Sequence, residues 1–274
     1  MQKGLKSKLK YAFVIGIITY LMLGSVLYFF QEKLLFLPET LDDDYEYHFE
    51  YPFEELCFET ESKGLINAIH FKVQDENKRK GVILYFHGNA GSLARWGKIT
   101  EYFVKKNYDV LVMDYRTYGK SKGELKEKYF YSDAEHCYDY LLKNYDEKEI
   151  LVYGRSLGTG IAAYLASENN PDHLILETPY YSIIDVAKAR FPVFPVEKLL
   201  KYEFPTNDFL KNVNSQITIF HGTEDEIVPY SSGRKLLNVR KNKINFITIE
   251  GGNHNNLIEF EEYHRGIDNL QKYK

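Results

Sequence analysis

Six short apolar runs constrain the fold of this chain more than any other feature. Residues 82–86, 110–113, 150–153, 174–176, 217–220 and 246–249 have the length and β-branched content of strands buried on both faces. Helical patterns lie between them. Ala134, Cys137, Tyr138, Leu141 and Leu142 form an i, i+3, i+4, i+7, i+8 stripe, and Ser132 with Glu135 fits a capping box ahead of it. Residues 157–166 carry Gly158, Gly160, Ala162 and Ala163, small enough for a helix to approach a sheet closely. Leu257, Phe260, Tyr263, Ile267 and Leu270 mark a closing helix. Residues 56–59 and 65–73 read as an opening antiparallel pair. Strand–helix alternation demands crossover connections, so the expected fold is α/β: a mostly parallel, doubly wound sheet of about eight strands. Ligands bind beyond the carboxyl ends of the strands in such sheets.

The amino terminus carries a different signal. Residues 11–30, YAFVIGIITYLMLGSVLYFF, are uncharged and at about 1.5 Å per residue would span roughly 30 Å as a helix, the thickness of a hydrocarbon core. Lys3, Lys6, Lys8 and Lys10 precede the run. Under the positive-inside rule residues 1–10 are expected in the cytoplasm and the domain after a single pass on the extracytoplasmic side. A cleaved signal peptide is the competing reading, but the run exceeds a usual h-region and no A-x-A-like site follows it. Residues 31–52, acidic and aromatic around LDDDYEYHFEYP, are expected to be a tether, and residues 53–274 the globular domain. With 274 residues, 44% of them hydrophobic, the chain can build a large core, and a net charge of −4 offers no basis for a nucleic-acid partner. Cys57 and Cys137 lack metal-ligand spacing and are expected as two free, mostly buried thiols, with one disulfide as the alternative.

Within this frame YGRSLG, residues 153–158, places Ser156 between glycines directly after a strand. G-x-S-x-G alone would recur by accident in roughly one chain in ten of this length. Here the strand lies before it and a small-residue helix after it, the context of a nucleophile elbow. A serine hydroxyl also needs a base, an orienter for that base, and donors for a developing oxyanion. Asp225, just past the run 217–220, is the best acid candidate; Glu224 and Glu226 are its neighbours and Glu177 an outside alternative. His254, in the loop after the last strand, is the base candidate, while His87 and His264 read as structural. The backbone N–H groups of Asn89, in the glycine loop 87–91, and Leu157 are the expected oxyanion donors.

Five motifs in order, HGNAG at 87–91, DYRTYGKSKG at 114–123, GRSLGTG at 154–160, HGTEDEIVP at 221–229 and GGNHNNL at 251–257, resemble the α/β-hydrolase superfamily. They look most like its membrane-anchored serine hydrolases with an abhydrolase or serine-aminopeptidase-like domain, and the segment QEKLLFLP after the apolar run is similar too. The resemblance implies a Ser156–His254–Asp225 triad, no metal or organic cofactor, and a lid at 180–215. Thr117 departs from the family's usual glycine in D-x-R-G-x-G. The expected activity is hydrolysis of carboxylic esters or thioesters through an acyl-enzyme, on a small-molecule or lipid-like acyl substrate. Amide or peptide cleavage by the same machinery, or a non-catalytic binding protein on this fold, are the alternatives.

Overall fold

The computed structural model describes residues 2–241 and 243–270. The expected domain end at Lys274 and the first residue of the basic segment lie outside them. A long helix, α1 (Gln2–Leu35), precedes the short strand β1 (Leu37–Pro38) and the hairpin β2 (Phe53–Thr60) and β3 (Gly64–Phe71). Then come β4 (Val82–Phe86), β5 (Ala90–Gly91), α2 (Leu93–Lys105), β6 (Asp109–Met113), α3 (Glu127–Leu142), β7 (Ile150–Arg155), α4 (Gly158–Glu168) and β8 (His173–Glu177). Three short helices follow, α5 (Ile183–Arg190), α6 (Val196–Leu199) and α7 (Thr206–Phe209). The chain closes with β9 (Gln216–Gly222), α8 (Tyr230–Lys235), β10 (Ile244–Ile249) and α9 (Glu261–Asp268).

The main sheet has eight strands in the order β10-β9-β8-β7-β4-β6-β3-β2. Its β2–β3 and β3–β6 pairs are antiparallel and the other five parallel. Strand alternation divides the core. Val82, Leu84 and Phe86 of β4 face Ala134, Cys137 and Leu141 of α3 and the small face of α4. Ile83 and Tyr85 face Phe103 of α2 and Tyr263 and Ile267 of α9. Central strands are thus buried on both sides, as their unbroken apolar runs require.

Four local expectations need correction. Helix α3 begins at Glu127, more than a turn before Ser132, because Tyr129 and Phe130 extend its buried stripe. Ser132 and Glu135 therefore do not cap it. The Glu135 carboxylate accepts from Asn169 instead, and Leu142 is exposed. The closing helix is broken at Phe260, which is extended, into a 3₁₀ turn (Leu257–Glu259) and α9. Cys57 is free but exposed, and only Cys137 is buried. Residues 31–52 are no loose tether: β1 pairs with β5, Leu41 N–H donates to Gly119 O at 3.0 Å, and buried Tyr47 donates its hydroxyl to Asn67 at 2.8 Å.

Thr117 sits at φ +75°, the left-handed region in which a β-branched residue is strained. Glycine, the residue the resemblance leads one to expect there, would carry no such strain. Thr117→Gly is expected to stabilise the protein by about 1 kcal/mol, raising Tm by about 2–4 °C. An unchanged or lower Tm would mean that the loop relaxes some other way.

Candidate active site

Three strand ends and two loops converge at one edge of the sheet. Strand β7 delivers Ser156 into a turn at φ +50°, a conformation disfavoured for any L-residue except as a single locked position. The turn is locked by Ser156 N–H donating to Glu177 O at 2.9 Å and Thr159 N–H donating back to Ser156 O at 3.0 Å. A Cβ at Gly158 would lie 2.1 Å from Phe86 O, so α4 can start this close to β4 only with glycine there.

Beyond this turn Ser156 Oγ lies 2.9 Å from His254 Nε2, and His254 Nδ1 lies 2.8 Å from Asp225 Oδ2. The other Asp225 oxygen accepts the amides of Ile227 at 2.9 Å and Val228 at 2.8 Å. Burial pushes the Asp225 carboxyl up, but hydrogen bonds from His221 and His254, the charge of His254 and the Val228 amide outweigh it and hold the group well below the usual carboxylate range. An ionised carboxylate only accepts, so His254 Nδ1 must carry the proton and donate. In neutral His254 Nε2 is then the acceptor, and the Ser156 hydroxyl donates to it. The chain of bonds is polarised in the direction that removes a proton from Ser156.

Asn89 and Leu157 flank the serine, and all three line one cavity of about 290 Å³. Asn89 is fixed through its carbonyl oxygen, which accepts from Tyr118 Oη at 2.8 Å, and through its side-chain oxygen, which accepts the Leu37 amide at 3.2 Å. No hydrogen bond among the described residues occupies the amide N–H of either Asn89 or Leu157. His87 is fully buried, with Nδ1 2.7 Å from Gly88 O and its ring stacked on Trp96. His264 bonds Tyr102 at 2.8 Å. Ser156 Oγ bonds His254 and neither of these two histidines.

Glu177 is committed elsewhere. It accepts from Tyr153 Oη at 2.6 Å and lies 3.3 Å from Arg155 Nε. Buried Arg155 also donates to His254 O at 3.3 Å, which ties the elbow to the loop carrying the imidazole. Sequence reading passed over Arg155. Its signal was a charge at the end of a buried strand, which needs an acid in register, and Arg155 does pair with Glu177 across β7 and β8. His221 was also missed. Its Nε2 donates to Val228 O at 3.0 Å and lies 3.4 Å from Asp225 Oδ2, so it braces the turn that presents the carboxylate. No group of three or more His, Cys, Asp or Glu residues arranged to hold a metal occurs among the described residues.

The rest of the cavity is mostly apolar, with Gln31, Tyr180 and Arg190 as its polar members. Its walls come from the region expected as a lid, including Ile183, Val186, Phe191 and Leu199, and from the end of α1, with Leu27, Leu34 and Leu35. Arg190 is the one charged residue among the described lining. Helix α1 is long and apolar enough to cross a membrane between Leu5 and Leu35.

A mostly parallel sheet carrying a strained serine elbow, a histidine after the last strand and an acid between them defines the α/β-hydrolase class. The family model for serine aminopeptidases, S33, matches residues 77–214. A protein of Acanthamoeba polyphaga mimivirus is 32% identical over 76% of this chain and 77% of its own length. Lysophosphatidylserine lipase ABHD12 of Bos taurus is 30% identical over 70% of this chain and 52% of its own. The chain thus spans about half the length of that lipase. An esterase from Pyrococcus furiosus superposes with a TM-score of 0.66 at 18% identity, covering 87% of this chain and 97% of its own. An acetyl xylan esterase from Paenibacillus does so at 0.68 and 14% identity, covering 81% and 86%. At such identities the superpositions speak to the fold. The chain belongs to the α/β-hydrolase superfamily of serine hydrolases, in its S33 serine aminopeptidase-like family.

Proposed function

We propose that this protein is a membrane-anchored serine hydrolase that cleaves carboxylic esters of a single acyl chain. The observation that carries the reading is the opening of the Ser156–His254–Asp225 chain of bonds onto an apolar cavity. With the acyl chain in that cavity, Ser156 Oγ attacks the ester carbonyl carbon as its proton passes to His254 Nε2. The oxyanion is received by the N–H groups of Asn89 and Leu157. His254 then gives the proton to the departing alcohol, and a water molecule, activated by the same imidazole, releases the acid and frees Ser156. Asp225 holds the tautomer and stabilises the imidazolium throughout. Thioesters suit the same steps.

At about 290 Å³ the cavity is at the small end of ligand sites, which run from roughly 300 to 1,000 Å³, and it suits one chain rather than two. An aminopeptidase must hold its substrate's terminal ammonium, and no carboxylate is among the described lining residues. That favours ester over peptide. The lipase relative supports the same choice. The substrate is on this reading lipid-like, and Arg190 at the cavity wall suits an anionic head group.

The apolar helix and its contacts support the anchoring. Gln31 donates to Leu199 O at 3.0 Å and accepts the Lys201 amide at 2.8 Å, so cleaving a signal peptide near residue 30 would strip a wall from the site. The lysines ahead of the span support a topology with the amino terminus in the cytoplasm and the catalytic domain outside. The test of the reading is hydrolysis of p-nitrophenyl esters of graded chain length by the detergent-solubilised protein. kcat/KM is expected to rise by up to about fourfold per methylene, the equivalent of ~0.8 kcal/mol, until the cavity is full. A flat profile would contradict an acyl site.

A further inference from the structure

The lid and the apolar helix are built as one unit. Between α5 and α6 runs Phe191-Pro192-Val193-Phe194-Pro195, without a charge. Phe194 stacks on Tyr20, with ring centroids 4.8 Å apart and planes 3° from parallel. Tyr20 Oη donates to Val193 O at 3.0 Å, and a Cβ at Gly24 would lie 3.6 Å from the Phe194 ring. Tyr20 and Gly24 are ten and six residues before Phe30, where the uncharged run ends. At about 1.5 Å per residue the loop tip therefore meets the helix roughly 9–15 Å inside the apolar run.

The polar contacts lie at a different level. Gln31 bridges to Leu199 and Lys201, Lys201 Nζ sits 5.0 Å above the Tyr28 ring, and Tyr202 Oη donates to Glu32 at 3.0 Å. Lys188, Arg190, Lys198 and Lys201 flank the apolar tip along the chain, with one acid, Glu197, among them and paired with Lys188. Val193 at the tip is 71% exposed. An uncharged aromatic tip with a basic girdle behind it matches the depth profile of a leaflet, with the tip among acyl chains and the cations at the phosphates.

We infer that the 191–195 loop is embedded in the leaflet beside α1, and that the acyl chain passes to Ser156 sideways from the bilayer between loop and helix, without crossing water. The inference rests on the spanning reading of α1 given above. Phe191, the first residue of the loop, and Leu27, three residues after Gly24 on the helix, both line the cavity. The fitting substrate is a single-chain amphiphile already in the leaflet, with a phosphate in its head group as in a lysophospholipid. The helix then forms a wall of the active site as well as a tether.

The test uses the full chain with Cys57→Ser in dioleoylphosphatidylcholine vesicles, carrying one fluorophore on Val193→Cys, Met22→Cys or Lys78→Cys. Nitroxide on the lipid acyl chains is expected to quench labels at 193 and 22 alike, and aqueous iodide to quench only the label at 78. If 22 is lipid-quenched and 193 is iodide-quenched, the inference fails while the spanning reading stands. If both are iodide-quenched, the spanning reading fails and takes the inference with it. A label at 193 shielded from both quenchers would indicate contact with a second copy and also overturn it. Val193→Asp is further expected to slow hydrolysis of vesicle-borne lysophosphatidylcholine by at least about tenfold and to leave p-nitrophenyl butyrate turnover unchanged. Equal effects on the two substrates would contradict lateral entry.

Discussion

Ser156→Ala is expected to lower kcat on a short-chain ester by about 10⁶, and His254→Ala by a similar factor. The double variant should be little worse than either single one, because nucleophile and base act as one unit. Rate remaining above that in water would come from substrate binding and from the N–H groups of Asn89 and Leu157. Asp225→Asn should cost about 10⁴, since an amide presents the wrong partner to His254 Nδ1. The fold should survive Ser156→Ala, because the hydroxyl's one bond within the described residues is to His254. A loss below about a hundredfold would leave Ser156 outside the chemistry.

The second large effect concerns stability. Asp133 of α3 accepts from Arg116 Nε and Nη2, both at 2.8 Å, and from Thr60 Oγ1 at 2.7 Å. Arg116 also donates to Glu61 O at 2.9 Å and lies 3.8 Å above the Tyr129 ring. Both side chains are 2% exposed. Asp133→Ala would leave a buried guanidinium without its carboxylate, at a cost of about 3–5 kcal/mol. At about 2–4 °C per kcal/mol for a domain of this size, Tm should fall by about 6–20 °C. Removing both charges, as Arg116→Leu with Asp133→Leu, should recover much of the loss, because the pair's own net contribution is small. A fall under about 2 °C for Asp133→Ala would show that water reaches the site.

What was legible in the sequence follows from where each signal resides. The strands of the parallel series announced themselves because burial on both faces leaves continuous apolar runs, and their true ends lie within two residues of the expected ones. Ser156, Asp225 and His254 could be singled out as a proposed triad because each follows a strand in the order Ser, Asp, His, and the structure brings the three within hydrogen-bond distance. The partners of Arg155 and the bracing role of His221 were not, because strand register and loop return decide them. Residues 31–52 misled because acidic composition suggests solvent, while the buried face of Tyr47 is visible only once β3 supplies Asn67. Ser132 misled because a capping pattern is local, and Tyr129 and Phe130 extend the helix past it to bury their rings. Helices α5 to α7 are too short to show periodicity, so the contacts joining lid and apolar helix emerged only in three dimensions.

The central claim is that Ser156 is an activated nucleophile. It is tested most directly by treating the detergent-solubilised protein with a fluorophosphonate and locating the adduct by peptide mass spectrometry. The account predicts a single adduct on the peptide containing Ser156, absent in Ser156→Ala and formed far more slowly in His254→Ala. An adduct on another residue, or equal labelling of native protein and Ser156→Ala, would contradict it.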